Sequence, residues 1–149
     1  MKTKIHQLME KLSKFFLLFM IGGIIYYFIE VFARGWSHWS MFILGGICFV
    51  LVGIINEFYK WEMLFQYQCL IGAGIITILE FITGLIVNKS LGWNVWDYSD
   101  RPFNLMGQIC LKNSIYWIFL SGIAILLDDW LRYIIFKEEK PKYYFTKKK

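Results

Sequence analysis

Two acidic residues sit where a charge is costly to keep. Glu30 and Glu80 each fall within a long apolar run, Ile21-Gly22-Gly23-Ile24-Ile25 leading to the first and Ile71-Gly72-Ala73-Gly74-Ile75 to the second. In hydrocarbon such a side chain costs at least ~2.5–3.5 kcal/mol on insertion scales, so it faces a protein interior or a wet cavity. Its chemistry would be to hold a proton, a metal cation or a cationic solute. Polar residues gather in the two connectors that follow these runs: Arg34, Ser37 and His38 in the first, and Trp96-Asp97-Tyr98-Ser99-Asp100-Arg101 with Asn104 in the second. Read as one outward-facing acidic cavity, the candidate substrate-binding residues are Glu30, Glu80, Asp97, Asn104, Arg34, His38, Trp96 and Tyr98. The loop Trp96–Asn104 would then be a lid or re-entrant turn.

Each of these residues also has a plainer reading. Arg34 lies one turn after Glu30 and can neutralise it, while Thr77 and Thr83 offer Glu80 a hydroxyl. Trp and Tyr in the loops can rest at headgroup level, and a lone His38 serves as readily as a hydrogen-bonding group as a proton relay. No nucleophile–base pair, glycine-rich phosphate loop or His-Glu-x-x-His motif occurs, so neither an enzyme nor a bound cofactor is expected. Cys48, Cys69 and Cys110 are odd in number, lie in apolar segments and lack Cys-x-x-Cys spacing, which argues against disulfides and a zinc site.

The elements that must position these residues follow from composition. Of 149 residues, 58% are hydrophobic and 20% aromatic, too apolar for a soluble domain of this length. Spanning ~30 Å of hydrocarbon takes about 20 apolar residues, and four windows approach that: 15–33, 39–55, 63–87 and 108–127. They lack period-2 alternation, so the expected fold class is all-α, a polytopic membrane protein of four transmembrane helices in a single domain, 1–149. Glu30 interrupts the first run and Arg34-Gly35-Trp36 follows it, so it reads as a retained helix, not a cleaved signal.

Residues 128–149 are expected to form an interfacial segment and a basic cytoplasmic tail: Asp128–Phe136 either continues the fourth helix or bends into the interface, and Lys137–Lys149 is a disordered basic strip against anionic lipid. Lys2, Lys4, Lys11 and Lys14 precede the first run, and Arg132, Lys137, Lys140, Lys142 and Lys147-Lys148-Lys149 follow the fourth. The loop between the second and third runs carries Lys60, whereas the other two connectors carry Arg34 and then Lys89, Arg101 and Lys112. The bias places both termini in the cytoplasm. The net charge of +5 is concentrated at the termini beside apolar spans, which favours lipid headgroups over nucleic acid as its partner.

An internal match joins Ile21–Glu30 to Ile71–Glu80, and a second joins Ser37 and Gly45-Gly46-Ile47-Cys48-Phe49 to Ser99 and Gly107-Gln108-Ile109-Cys110-Leu111. Two related helical hairpins, each with one glutamate, are expected from it.

The stretch Trp96-Asp97-Tyr98-Ser99-x-x-Pro102-Phe103-Asn104-x-x-Gly107-Gln108-Ile109-Cys110-Leu111, with Leu79-Glu80 and Gly84 before it, resembles the signature of the ABC-transporter type IV family. Gly23-Ile24-Ile25-Tyr26, Ile29-Glu30 and Arg34-Gly35-x-Ser37-His38-Trp39 look like its short four-helix members. The resemblance implies a permease-like protein of the bacterial cell membrane and a separate ATPase as partner; a homo-oligomer is also compatible with it. The alternative is a non-transporting accessory or regulatory subunit that docks a partner protein.

Overall fold

The computed structural model describes residues 3–59 and 61–147, so Lys2, Lys60, Lys148 and Lys149, used above to read the topology, lie outside the described residues. It falls into two compact units, Met1–Val50 and Leu51–Lys149, each treated by itself.

In unit 1, α1 (Lys4–Arg34) opens on Thr3, whose hydroxyl accepts from the His6 N–H at 3.3 Å. It closes on Gly35 in the left-handed region, φ 81°, with the Gly35 N–H donating to the Val31 carbonyl. This helix starts eleven residues before the expected position 15. Apolarity finds only the part long enough for lipid, whereas the cap and the His6–Glu10 pair one turn apart extend the helix through its charged start.

α2 (Trp39–Gly53) follows His38, whose Nδ1 accepts from the Ser40 N–H and lies 2.7 Å from the Ser40 hydroxyl. Within unit 1 the two helices exchange glycines for rings. Gly22 lies against Phe49 and Gly23 against Phe42, while Gly45 and Gly46 lie against Tyr26 and Phe19. A β-carbon at any of the four would collide with the ring or backbone opposite, which explains the paired glycines as close-packing positions.

Unit 2 takes up the end of α2, which breaks at Ile54 before the short α3 (Ile55–Tyr59). Then follow α4 (Phe65–Gly84), a π-helical turn (Leu85–Ser90), the two-residue strands β1 (Asn104–Leu105) and β2 (Ile109–Cys110), and α5 (Leu111–Phe136). The strands pair antiparallel, Asn104 opposite Cys110 and Leu105 opposite Ile109. α4 and α5 run antiparallel, with Gly72 against Ser121 and Gly122 against Cys69. Ser121 donates to the Cys69 carbonyl at 2.8 Å and Thr77 to Ser114 at 3.1 Å.

Among the described residues, three helices are long and apolar enough to cross a membrane: Lys4–Arg34, Trp39–Tyr59 and Phe65–Ser90. Most of the fourth apolar run lies in α5, which continues as helix past Leu127 to Phe136, through Asp128, Asp129 and Arg132, and does not bend away there.

The tail departs from its expected form as a disordered strip. The Phe65 N–H, one of the donors left over at the start of α4, bonds the Tyr144 carbonyl at 2.8 Å, and the Gln66 amide bonds the Phe145 carbonyl at 3.0 Å. The Phe65 ring meets those of Tyr143 and Phe145 edge-on. Lysine content suggested a disordered strip on lipid, but Tyr143-Tyr144-Phe145 supplies apolar surface that docks this segment onto the start of α4.

The second half of the internal match also departs. Gly45–Phe49 sit within α2, whereas Gly107 is a left-handed turn residue, φ 70°, and Ile109-Cys110 is strand.

Candidate functional site

Glu80 lies near the end of α4 and is 2% exposed. Its Oε2 accepts from the Trp117 indole N–H on α5 at 2.9 Å, and its Oε1 accepts from the Tyr98 hydroxyl at 3.2 Å. Neither expected threonine partner is the one seen: Thr77 donates to Ser114. The glutamate therefore joins three elements, α4, α5 and the loop between them.

That loop is held by its own motif residues. At its entry the π turn places Asn88 so that its Oδ1 accepts from the Val95 N–H at 2.7 Å and its Nδ2 donates to Gln108 Oε1 at 2.8 Å. The Gln108 side chain rests against Gly84, where a β-carbon would lie 2.6 Å from Gln108 Oε1. Val95 and Trp96 are buried, and the Trp96 indole N–H donates to the Gln108 carbonyl at 2.9 Å. Trp96 thus turns inward instead of resting at headgroup level, because the indole finds both an apolar pocket and an acceptor there.

Asp97 is exposed and closes a turn on Ser99. Hydrogen bonds from the Ser99 hydroxyl and then its N–H, with the charge of Lys89 adding to them, hold the Asp97 carboxyl below the usual carboxylate range. Asn104 donates to the carbonyls of Arg101 and Ser99 and accepts from the Gly107 N–H. Gly107 has no alternative, since a β-carbon there would strike the Ser99 hydroxyl and Asp97. Phe103 and Met106 are held at φ 54°, a conformation uncommon for bulky residues, and both side chains are exposed.

Of the expected residues, Glu80, Trp96, Asp97, Tyr98 and Asn104 therefore belong to one constellation, with Tyr98 as the direct link to the glutamate. Asp97 and Asn104 shape the turn. Glu30, Arg34 and His38 belong to unit 1. There Glu30 is paired to Arg34 one turn later and accepts from the Tyr26 hydroxyl, while Arg34 also lies 4.3 Å from the centre of the Trp36 ring.

A second cluster was not among the expected site residues. On α5, eleven to fifteen positions and about 17–23 Å beyond Trp117, Asp128, Asp129 and Arg132 are all buried. Arg132 Nε bonds Asp128 Oδ2 at 2.6 Å, and Nη1 lies 3.6 Å from Glu57 and 3.8 Å from Glu138. Asp129 Oδ2 accepts from the Asn56 amide at 2.6 Å and the Tyr143 hydroxyl at 2.9 Å. Gly53 makes room for the Asp128 carboxylate. The sequence signal is an adjacent acid pair followed by an arginine one turn on, at the end of an apolar helix.

Long apolar helices interrupted by enclosed polar clusters define a multi-pass α-helical membrane protein. Residues 14–144 match the family described as Putative ABC-transporter type IV, nearly the whole chain, and the protein belongs to that family. No solved structure matches the chain.

Proposed function

We propose that this chain is a permease-like subunit of the bacterial cell membrane that crosses the bilayer four times, α5 being the fourth crossing, with both termini cytoplasmic. Two related hairpins, working with a separate ATPase or a second copy of the chain, remain part of this reading. Its moving part is the loop between α4 and α5.

The observation that carries the proposal is the bond from the Tyr98 hydroxyl to Glu80. A hydroxyl-to-carboxylate bond has a modest net worth, so a cation or a proton arriving at Glu80 competes with Tyr98 for Oε1 on nearly equal terms. Displacing Tyr98 releases the loop, and the loop is then a lid that responds to its own solute. Glu30, with Arg34 already beside it, holds unit 1 together in this scheme.

The test is flux in vesicles reconstituted with the full chain, using a pH-sensitive dye for protons and tetraphenylphosphonium as a cationic solute. Glu80→Gln is expected to abolish flux and Tyr98→Phe to alter its dependence on solute concentration. Flux equal to wild type in Glu80→Gln would sink the proposal.

A second reading, an accessory subunit that docks a partner through this loop, is favoured by the exposed Phe103, Leu105 and Met106 at its tip. Photo-crosslinking from position 103 that captures one membrane protein, with no flux in vesicles, would select it.

A further inference from the structure

The end of unit 2 where α3, α5 and the tail meet holds a cavity of about 400 Å³. Asn56, Glu57, Trp61, Asp129, Arg132, Glu138 and Glu139 form its wall. We propose that this cavity binds an organic cation carrying a guanidinium or primary ammonium group, a site separate from Glu80 and independent of the role given to it.

Charge is the first argument. Four carboxylates and one guanidinium border the space, and the Arg132 guanidinium is already engaged by Asp128, which lies outside the wall, as well as by Glu57 and Glu138. Glu139 in turn pairs with Lys142 at 3.0 Å, so four carboxylates of the wall stand against the two cations that pair with them.

The second argument is independent of charge. Asn56 is 4% exposed, its Nδ2 is committed to Asp129, and its Oδ1 has no hydrogen-bond partner among the described residues. A buried amide oxygen left without a donor is costly, and what it lacks is an N–H or a cation. The amide donates through Nδ2 to Asp129 Oδ2 at 2.6 Å, which leaves Oδ1 as the end without a donor.

Shape and chemistry narrow the class further. Trp61 supplies an aromatic wall, and an aromatic face beside carboxylates suits a flat guanidinium or an ammonium through its quadrupole. The volume is at the small end of ligand sites, enough for one short-chain cation.

The experiment uses the full chain in nonionic detergent, with agmatine as probe and equal ionic strength of sodium chloride as reference. Calorimetric titration is expected to show saturable binding of agmatine, and thermal unfolding a midpoint raised in the same concentration range. Glu57→Gln, a change at a half-exposed position, and Glu138→Gln are each expected to weaken agmatine about tenfold, the loss of one charge-assisted contact. Glu57→Gln carries the test should the other variant not fold.

Absence of saturable binding would overturn the proposal, as would agmatine binding unchanged in both variants. Binding of glutarate in place of agmatine would assign the cavity to an anion on Arg132. Binding of an arginine-rich peptide with none of agmatine would assign it to a partner's side chain and equally overturn the free-cation site.

Discussion

The two ends of unit 2 bury carboxylates by different means. Around Glu80 the named donors are an indole N–H and a phenol, one from a helix and one from a loop. Around Asp128 the partner is a guanidinium on the same helix one turn away, itself 2% exposed. The difference matters because hydrogen bonds from neutral donors to a carboxylate are worth about 1.5–3 kcal/mol each, whereas breaking a buried ion pair costs about 3–5 kcal/mol. One end is suited to letting go and the other to holding.

The largest effect should come from stranding the charge. Asp128→Ala is expected to cost about 3–5 kcal/mol, read from denaturant unfolding in detergent, and Asp128→Leu combined with Arg132→Met should recover most of it. A single-variant loss below about 1 kcal/mol would remove the contrast between the two ends. Next comes crowding of the same pair: Gly53→Ala places a β-carbon against the Asp128 carboxylate and is expected to cost about 1–3 kcal/mol by the same measurement.

At the other end the losses should be smaller and unequal. Trp117→Phe leaves a buried Glu80 oxygen without its indole donor and is expected to cost about 1–2 kcal/mol, whereas Tyr98→Phe should cost about 1 kcal/mol or less. The second change should free the loop, so hydrogen exchange at Val95–Gly107 is expected to quicken while α4 and α5 stay protected. Uniform exchange across helices and loop would show that Tyr98 is not a separate latch.

The smallest effect is a pH dependence of the tail. Burial, and then the charge of Asp129 and the bond to it, push the Tyr143 hydroxyl above its ordinary range. Above about pH 10 the unfolded chain loses this proton while the folded tail keeps it, so docking weakens as pH rises through that value. Limited proteolysis of residues 137–147 should accelerate there in wild type and change less steeply in Tyr143→Phe.

How much of this was legible in the sequence depends on the kind of signal. Helix existence was, because lipid-length apolar runs have few other ways to satisfy their backbone. Glu80 was visible as a costly residue, and the Trp96–Asn104 loop as one with more hydrogen-bonding groups than a connector needs. Their partners were not: Trp117 reads as one more apolar position of α5, and its bond to Glu80 depends on how α4 and α5 meet face to face. Asn56 and Asp129 are 73 positions apart and share no local pattern. Counting charge hid the aromatic triplet that docks the tail, and alignment by residue type matched Gly45 in a helix to Gly107 in a turn, two positions where glycine serves different ends.

The π turn has a consequence of its own. From Leu85 to Ser90 the backbone bonds reach one residue further than in an α-helix, as the Leu91 N–H does to the Ile86 carbonyl at 2.9 Å. The turn thus carries one residue more than an ordinary helix would need, the mark of a tolerated insertion. Deleting one residue there would restore the usual pitch, and the wide turn that sets Asn88 against Val95 and Gln108 would be lost. The entry of the loop, and with it the reach of Tyr98 to Glu80, thus hangs on a single extra residue.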